Sequence, residues 1–338
     1  METNIIHHGL CLDAMRSLPD GSIDCLITSP PYWQLRDYGF SEQWGLEPTF
    51  EGYLDHLMEF MAEAWRVLKS TGTVWVNLGD TYGGSWGNYG KRNGKQRPKE
   101  EMQFDRRGAL PEDHKPGMAG VKEKCLLLIP HRFAIRCIDA GWVMRNDIIW
   151  AKRNAMPESV TDRFSKRHEY LFFMTKQKKY YFDLAGIRDK HAATTRVRYQ
   201  SGSNASGERG YVNGPQNHLK TLMNDPDRKQ ASLDKGKNPG DVSDFWDLPT
   251  SASKSNSHYA TFGASLIEKC IVAGCPEYGI VLDPFCGTGT TGVRAVSLGR
   301  KFIGIEPKAE YYKEASKRFL GATATPQLFT DVNFELDD

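Results

Sequence analysis

Short apolar runs closed by turn residues alternate along this chain with stretches of helical spacing. Ile23 to Thr28 (IDCLIT) follows the turn signal Asp20-Gly21 and ends at two prolines, which predicts a buried strand running into a loop. From Tyr53, the apolar residues Leu54, Leu57, Met58, Met61, Trp65 and Leu68 recur at helical spacing until Gly72 breaks the pattern, and TVWVNLGD predicts the next strand. Pro130 suits the first turn of a helix ending near Gly141, and β-rich runs follow at Val143 to Trp150 and Tyr170 to Thr175. Gly279 to Asp283, Thr290 to Leu298 and Lys301 to Glu306 form a second strand, helix, strand unit. Strand, helix, strand units of this kind imply a parallel sheet, so the expected core is a doubly wound α/β fold.

Two stretches do not fit that core. Gly83 to Lys124 and Leu184 to Gly240 are polar, rich in Gly, Asn and Ser, and without clear periodicity, so both are expected to be insertions. The first carries ten Lys/Arg against six Asp/Glu and the second ten against five, so basic charge collects where the fold signal fades, although the whole chain is only +2. Solvated loops and contact with a polyanion both fit this pattern.

Composition narrows the class further. Hydrophobic residues at 39% and charged residues at 25% exclude a disordered chain. Seven cysteines without a CxxC pair speak against zinc and for a reduced compartment. The start METNIIHHGLCLDAM has no basic region followed by an apolar run, and no stretch approaches the about 18 apolar residues of a membrane span, so a cytoplasmic protein without a membrane partner is expected.

The chemistry-bearing residues sit at strand ends. In Val281 to Glu306 (VLDPFCGTGTTGVRAVSLGRKFIGIE), a strand ending at Asp283 meets a turn through Gly287 and Gly289 and then a helix from about Thr290. Glycines let the backbone turn tightly and approach a ligand, and free N–H groups at a helix start favour an anionic group. Glu306 closes the second strand about 20 residues later, where an acidic side chain in such folds accepts hydrogen bonds from ribose hydroxyls. The GxGxxG spacing of a nicotinamide site and the Gly-Lys-Ser/Thr of a P-loop are both absent. Thr28 to Trp33 (TSPPYW) follows the first predicted strand, where open α/β sheets place their chemistry.

DPFCGTGTT closely resembles the S-adenosyl-L-methionine motif of the DNA amino-methyltransferase family, and Ser-Pro-Pro-Tyr resembles that family's catalytic loop. The order here, catalytic loop first and cofactor motif last, resembles the circularly permuted subgroup called beta. VMRNDIIWAKRNAMPESVTDRF and RHEYLFFMTKQKKYYF are similar to segments behind the flipped-base pocket. The resemblance implies a Rossmann-like methyltransferase fold that acts on double-stranded DNA. Residues 1–183 would be the catalytic half with a basic insertion at 83–124, 184–240 a target-recognition region, and 241–338 the cofactor-binding half.

By the same resemblance Asp283, Phe285, Gly287, Thr288, Gly289, Thr290, Thr291 and Glu306 would hold S-adenosyl-L-methionine. In His258 to Cys275 (HYATFGASLIEKCIVAGC) the family segment that closes over the methionine end places Thr261 and Phe262 on the cofactor, with Gly263 where Pro is usual. GLCLDAM has Leu10 where the family often has an Asp that contacts the adenine, leaving Asp13 or a backbone group for that bond.

An exocyclic base amine is a poor nucleophile because its lone pair is delocalised into the ring, so acceptors must hold its hydrogens while the methyl group arrives in line. Ser29 Oγ and the Pro30 carbonyl are two such acceptors, Pro30 and Pro31 stiffen the backbone that aims them, and Tyr32 offers a flat face to a base pulled from the duplex. Ser in the first place is typical of cytosine-N4 enzymes in this family and Asp or Asn of adenine-N6 enzymes, so cytosine N4 is favoured with adenine N6 as the alternative. Cytosine C5 chemistry lacks its Pro-Cys loop. His168 and Glu169 are expected to be structural. Arg196 and Arg198, pointing the same way in an extended segment, are candidate DNA contacts. A non-enzymatic DNA-binding regulator and an RNA or protein amide methyltransferase are the rivals. A homodimer, a cognate restriction endonuclease as genetic partner, and a solitary or phage role all stay open.

Overall fold

The computed structural model describes residues 1–40, 42–83, 91–92, 95–96, 121–122, 124–155, 158–188, 244–249 and 263–324. The chain divides into two compact units, Met1–Phe182 with Asp244–Asp338, and Asp183–Ser243. Of the second unit, 183–188 is described, a turn in which Gly186 N–H donates to Asp183 Oδ1 at 3.0 Å.

The first unit is built on an eight-stranded sheet. Its strands are β1 (Ile5–His8), β2 (Ile23–Thr28), β3 (Leu68–Leu78), β6 (Val143–Lys152), β7 (His168–Thr175), β8 (Phe245–Leu248), β9 (Ile280–Asp283) and β10 (Lys301–Glu306). Lys91–Arg92 (β4) and Lys95–Gln96 (β5) pair separately. The strand order is β1-β10-β9-β2-β3-β7-β6-β8. The five strands from β1 to β3 run parallel, as expected. Beyond β3 the sheet turns mixed, with β7 antiparallel to β3, β6 antiparallel to β7, and β8 parallel to β6.

Helices cover both faces: α1 (Cys11–Arg16), α2 (Phe50–Val67), α3 (Ile129–Asp139), α4 (Ala264–Gly274), α5 (Thr290–Ser297) and α6 (Ala309–Ala324). One face of the sheet presents Leu26, Val74, Val76, Phe172, Met174, Ile303 and Ile305 to Met15 of α1, the apolar stripe of α2, and Phe133 of α3. Full burial of one such side chain stabilises by about 1.5–3 kcal/mol. On the opposite face α4 lies across β2 and β3, where Thr73 Oγ1 donates to the Gly274 carbonyl at 2.9 Å, and Phe302 packs on Phe319 of α6. No helix among the described residues is long and apolar enough to cross a membrane.

The helix that follows β2 starts where Thr49 Oγ1 accepts from Gly52 N–H at 3.1 Å, a side-chain N-cap. Its end differs from the expectation set by Gly72. The helix stops at Val67, and Leu68, fully buried, already pairs with Ile23 at the start of β3. Sheet pairing overrides helical spacing there, and Lys69, taken into the strand, forms an ion pair with Asp24 of β2 at 2.8 Å. Pro130 stands in the first turn of α3 as expected, and Gly141 at φ +98° takes the left-handed position just past its end.

Candidate active site

Strands β2 and β9 are neighbours, with Cys25 beside Val281 and Leu26 beside Leu282. The two loops carrying the sequence motifs, 255 residues apart in the chain, therefore leave the carboxyl ends of adjacent parallel strands, where open α/β sheets place ligands. Asp283 joins them. Its Oδ1 accepts from Thr28 Oγ1 at 2.7 Å and from Phe285 N–H at 3.2 Å, and its Oδ2 accepts from Thr291 Oγ1 at 2.6 Å. Only 1% exposed, Asp283 is held up at about 6 by burial, against hydrogen bonds that favour the charged form. Its carboxylate works inside the protein, tying β2 to the start of α5.

The glycine turn then enters α5 through Gly289 at φ +79°, a conformation glycine adopts without strain. A cleft opens beside it. Phe285, Gly287, Thr288, Thr290 and Thr291 form one wall, Leu10 to Asp13 a second, and Glu306 to Lys308 a third. Ser29 and Pro31 of the catalytic motif reach the same cleft. Glu306 is nearly buried; its Oε2 accepts from Gly287 N–H at 3.0 Å and its Oε1 from Lys308 N–H at 2.9 Å. Burial pushes its carboxyl up to about 7, the neighbouring Asp283 charge adding to the effect. Asp13 lies at the rim, 69% exposed and paired with Arg16 at 3.3 Å. Thr261, Phe262, Arg196 and Arg198 lie outside the described residues.

Aromatic residues from the segment after the catalytic motif complete the cleft, which motif matching did not find. Trp44 stacks on His56 with ring centroids 5.6 Å apart and tilts onto Phe285 at 5.2 Å, while Tyr38 meets Tyr311 of α6 edge-on at 6.5 Å. The signal available in the sequence was the aromatic density of RDYGFSEQWG. Glu47 anchors this segment. Its carbonyl accepts from Trp33 Nε1 at 2.9 Å, and its carboxylate takes Gly45 N–H and faces His56 Nδ1, both at 2.9 Å.

The catalytic motif turns the other way at Tyr32. Its ring lies on Gly79, where a Cβ would stand 2.5 Å from the ring, and its hydroxyl reaches Asn77 Oδ1 at 3.0 Å and Glu169 Oε2 at 2.9 Å. Ser29 Oγ is 3.3 Å from that hydroxyl and 3.4 Å from Asn77 Oδ1. Glu169 also pairs with Lys152. Asn77, Lys152 and Glu169 come from three strands, β3, β6 and β7, and were not assigned to the site from sequence; Glu169 had been expected to be structural. Burial holds the Tyr32 phenol well above its ordinary value, so its proton stays on.

A family model described as DNA methylase matches residues 23–317 of this chain. The chain is 38% identical over 317 residues to the Type II methyltransferase M.Cfr9I of Citrobacter freundii, a match spanning 94% of this chain and 87% of that protein. Among solved structures, PvuII DNA methyltransferase, cytosine-N4-specific, shares the fold with a TM-score of 0.56 at 17% identity, over 96% of this chain and 93% of that one. M1.HpyAVI in complex with SAM shares it with a TM-score of 0.50 at 18% identity, over 93% and 97%.

Proposed function

Because the chain belongs to the DNA methylase family, we propose that it transfers a methyl group from S-adenosyl-L-methionine to the N4 amine of a cytosine turned out of the DNA duplex. That it is a DNA methyltransferase follows from the family; the base and the residue roles are our reading. The observation that carries the reading is Ser29, which lines the same cleft as Phe285, the glycine turn and Glu306.

The cleft suits the cofactor. Glu306 supplies a fixed carboxylate whose oxygens keep further lone pairs for ribose hydroxyls, and Trp44 and Tyr311 offer apolar faces. The turn from Cys286 to Thr290 brings backbone N–H groups and a helix start to the methionine end. Asp283 holds this turn in register with the catalytic loop. When bound, S-adenosyl-L-methionine supplies an electrophilic methyl group. Ser29 Oγ and the Pro30 carbonyl accept the two hydrogens of the target amine and orient its lone pair, and the Tyr32 ring, backed by Gly79, stacks on the base.

Serine at the first motif position supports cytosine. Residues 184–240, with Arg196 and Arg198, are proposed as the DNA-reading region, in which basic side chains position the duplex and a few polar groups read bases. The test is methylation of mixed-sequence DNA with isotope-labelled S-adenosyl-L-methionine by wild type and Tyr32→Ala, followed by nucleoside mass spectrometry. Labelled N4-methylcytosine, greatly reduced in the variant, is the expected result. Labelled N6-methyladenine would overturn the base, and label only in RNA or protein would overturn the substrate.

A further inference from the structure

Serine is an ambiguous choice for a group that must accept. A hydroxyl carries one proton as well as two lone pairs, and unless that proton is lodged elsewhere it competes with the amine's own hydrogens. Among the described residues, the partners within hydrogen-bond reach of Ser29 Oγ are Tyr32 Oη at 3.3 Å and Asn77 Oδ1 at 3.4 Å. What those two atoms present decides which way Ser29 points.

Asn77 is 2% exposed, and its Nδ2 donates to the Tyr170 carbonyl at 3.0 Å. Turning the amide over would set oxygen against oxygen at Tyr170. Its Oδ1 therefore faces both hydroxyls and can only accept. Tyr32 has a single proton with three acceptors in reach, Asn77 Oδ1, the Glu169 carboxylate and Ser29 Oγ. An ionised carboxylate is an acceptor only and makes the stronger bond. Lys152 holds Glu169 from the far side. With the phenol proton directed to Glu169, a lone pair of Tyr32 Oη is left for the proton of Ser29. No donor faces Ser29 from this network.

The sheet register builds the arrangement. Asn77 stands opposite Leu171 in the β3/β7 pair, and Glu169, two residues before Leu171, shares its face. In the β7/β6 pair Glu169 stands opposite Trp150, which places Lys152 on the adjacent diagonal. Gly79, with no side chain, lets the Tyr32 ring lie close enough for its hydroxyl to enter.

We propose that Asn77 and Glu169 are positioning residues that set the direction of the hydrogen-bond chain from Ser29 through Tyr32, so that Ser29 lodges its proton inward and turns its lone pairs to the amine being methylated. The inference rests on Ser29 being the amine acceptor, and it holds for a cytosine or an adenine target. Neither residue touches the reacting atoms.

The test is a double-mutant cycle between Glu169→Gln and Tyr32→Phe. Lys152 takes the carbonyl oxygen of the glutamine, which presents an amide donor to Tyr32 Oη and turns the phenol proton toward Asn77 Oδ1 or Ser29, so that the acceptors left for the Ser29 proton are occupied. Phenylalanine keeps the stacking face and removes the relay. The expected result is a loss of about tenfold or more in kcat for Glu169→Gln, as for a reversed buried hydrogen bond, with unchanged affinity for S-adenosyl-L-methionine and for DNA. In the Tyr32→Phe background the same substitution changes kcat by less than about twofold. An equal loss in both backgrounds, or no loss in the first, overturns the inference. If Glu169→Gln does not fold, Glu169→Asp, which draws the carboxylate away from Tyr32, runs the same cycle with the same two outcomes. Wild type that methylates DNA at adenine leaves the cycle to be scored as before, whereas wild type that transfers no methyl group overturns both this inference and the function it rests on.

Discussion

Thr28 and Asp283 are joined by a 2.7 Å hydrogen bond between the last residues of two adjacent strands. Ser29 follows Thr28 directly, and Phe285 begins the cofactor turn two residues after Asp283. Together with the pairing of β2 and β9, this buried hydroxyl–carboxyl contact holds the two loops side by side.

Thr28→Val removes the hydroxyl and keeps the shape. Asp283 retains Thr291 and Phe285 N–H, so the expected loss of stability is about 1–2 kcal/mol, measured by urea unfolding. Methyl transfer at saturating substrates should fall by more than that stability loss alone would cause, because a slight misplacement of reacting groups is costly. Unchanged kcat would show that the two loops are held in register by other contacts.

Cofactor affinity should depend on pH through Glu306. Burial raises its carboxyl to about 7, and ribose hydroxyls are bound best by the ionised form, so calorimetric affinity for S-adenosyl-L-methionine is expected to rise between pH 6 and pH 8. Glu306→Gln should bind more weakly and flatten that rise. Stability of the ligand-free protein runs the opposite way. A carboxyl raised on folding adds stability that is complete below its ordinary value, about 4, and is lost as pH climbs through the folded value. For Asp283 and Glu306 that window runs from about 4 to about 6 and about 7. Urea midpoints at pH 5 and pH 8 should therefore differ less in Glu306→Gln than in wild type.

Gly79→Ala should act first on Tyr32. The added methyl would stand 2.5 Å from Cε2 of the ring and must push it off its platform. Overpacking of this kind costs about 1–3 kcal/mol. A loss of activity of about tenfold or more is expected, with cofactor binding retained, read by labelled methyl transfer beside calorimetry. Full activity would mean that the ring position is not used.

Thiol chemistry offers a check on burial. Cys125 is exposed and the other six cysteines are buried, with burial pushing the thiols of Cys11, Cys25, Cys137, Cys270, Cys275 and Cys286 up. A colorimetric thiol reagent should modify one group quickly in the native protein and seven after denaturation. Cys125→Ser should remove the fast phase without changing activity. A second fast thiol at Cys286 would show that the cofactor turn opens.

Much of this was legible in the sequence because it is local. IDCLIT and VLDPFCGTGTT are strand-to-loop junctions whose turn residues follow directly, so position at a strand end pointed to Ser29 and Glu306, the family resemblance added Phe285, and all three line one cleft. The partners of Tyr32 could not. Asn77, Lys152 and Glu169 acquire their roles from the registers of β3, β7 and β6, and antiparallel register across distant segments leaves no local periodicity. Leu68 misled for a related reason: it fits the helical stripe of α2 and the face of β3 equally well, and pairing with Ile23 decides the matter.

The strand order also fixes when the molecule can become active. β1 pairs with β10, and β2 has β9 on one side and β3 on the other, so the unit from Ile280 to Glu306 is slotted between two strands made near the start of the chain. During synthesis β2 and β3 can join early around α2, whereas β1 waits for β10 to leave the ribosome. Contacts of such long sequence separation form late in folding. A chain whose Ser-Pro-Pro-Tyr loop is already made therefore lacks the facing wall of its cleft until β9 and β10 have been inserted between β1 and β2, so the two halves of the site are completed together.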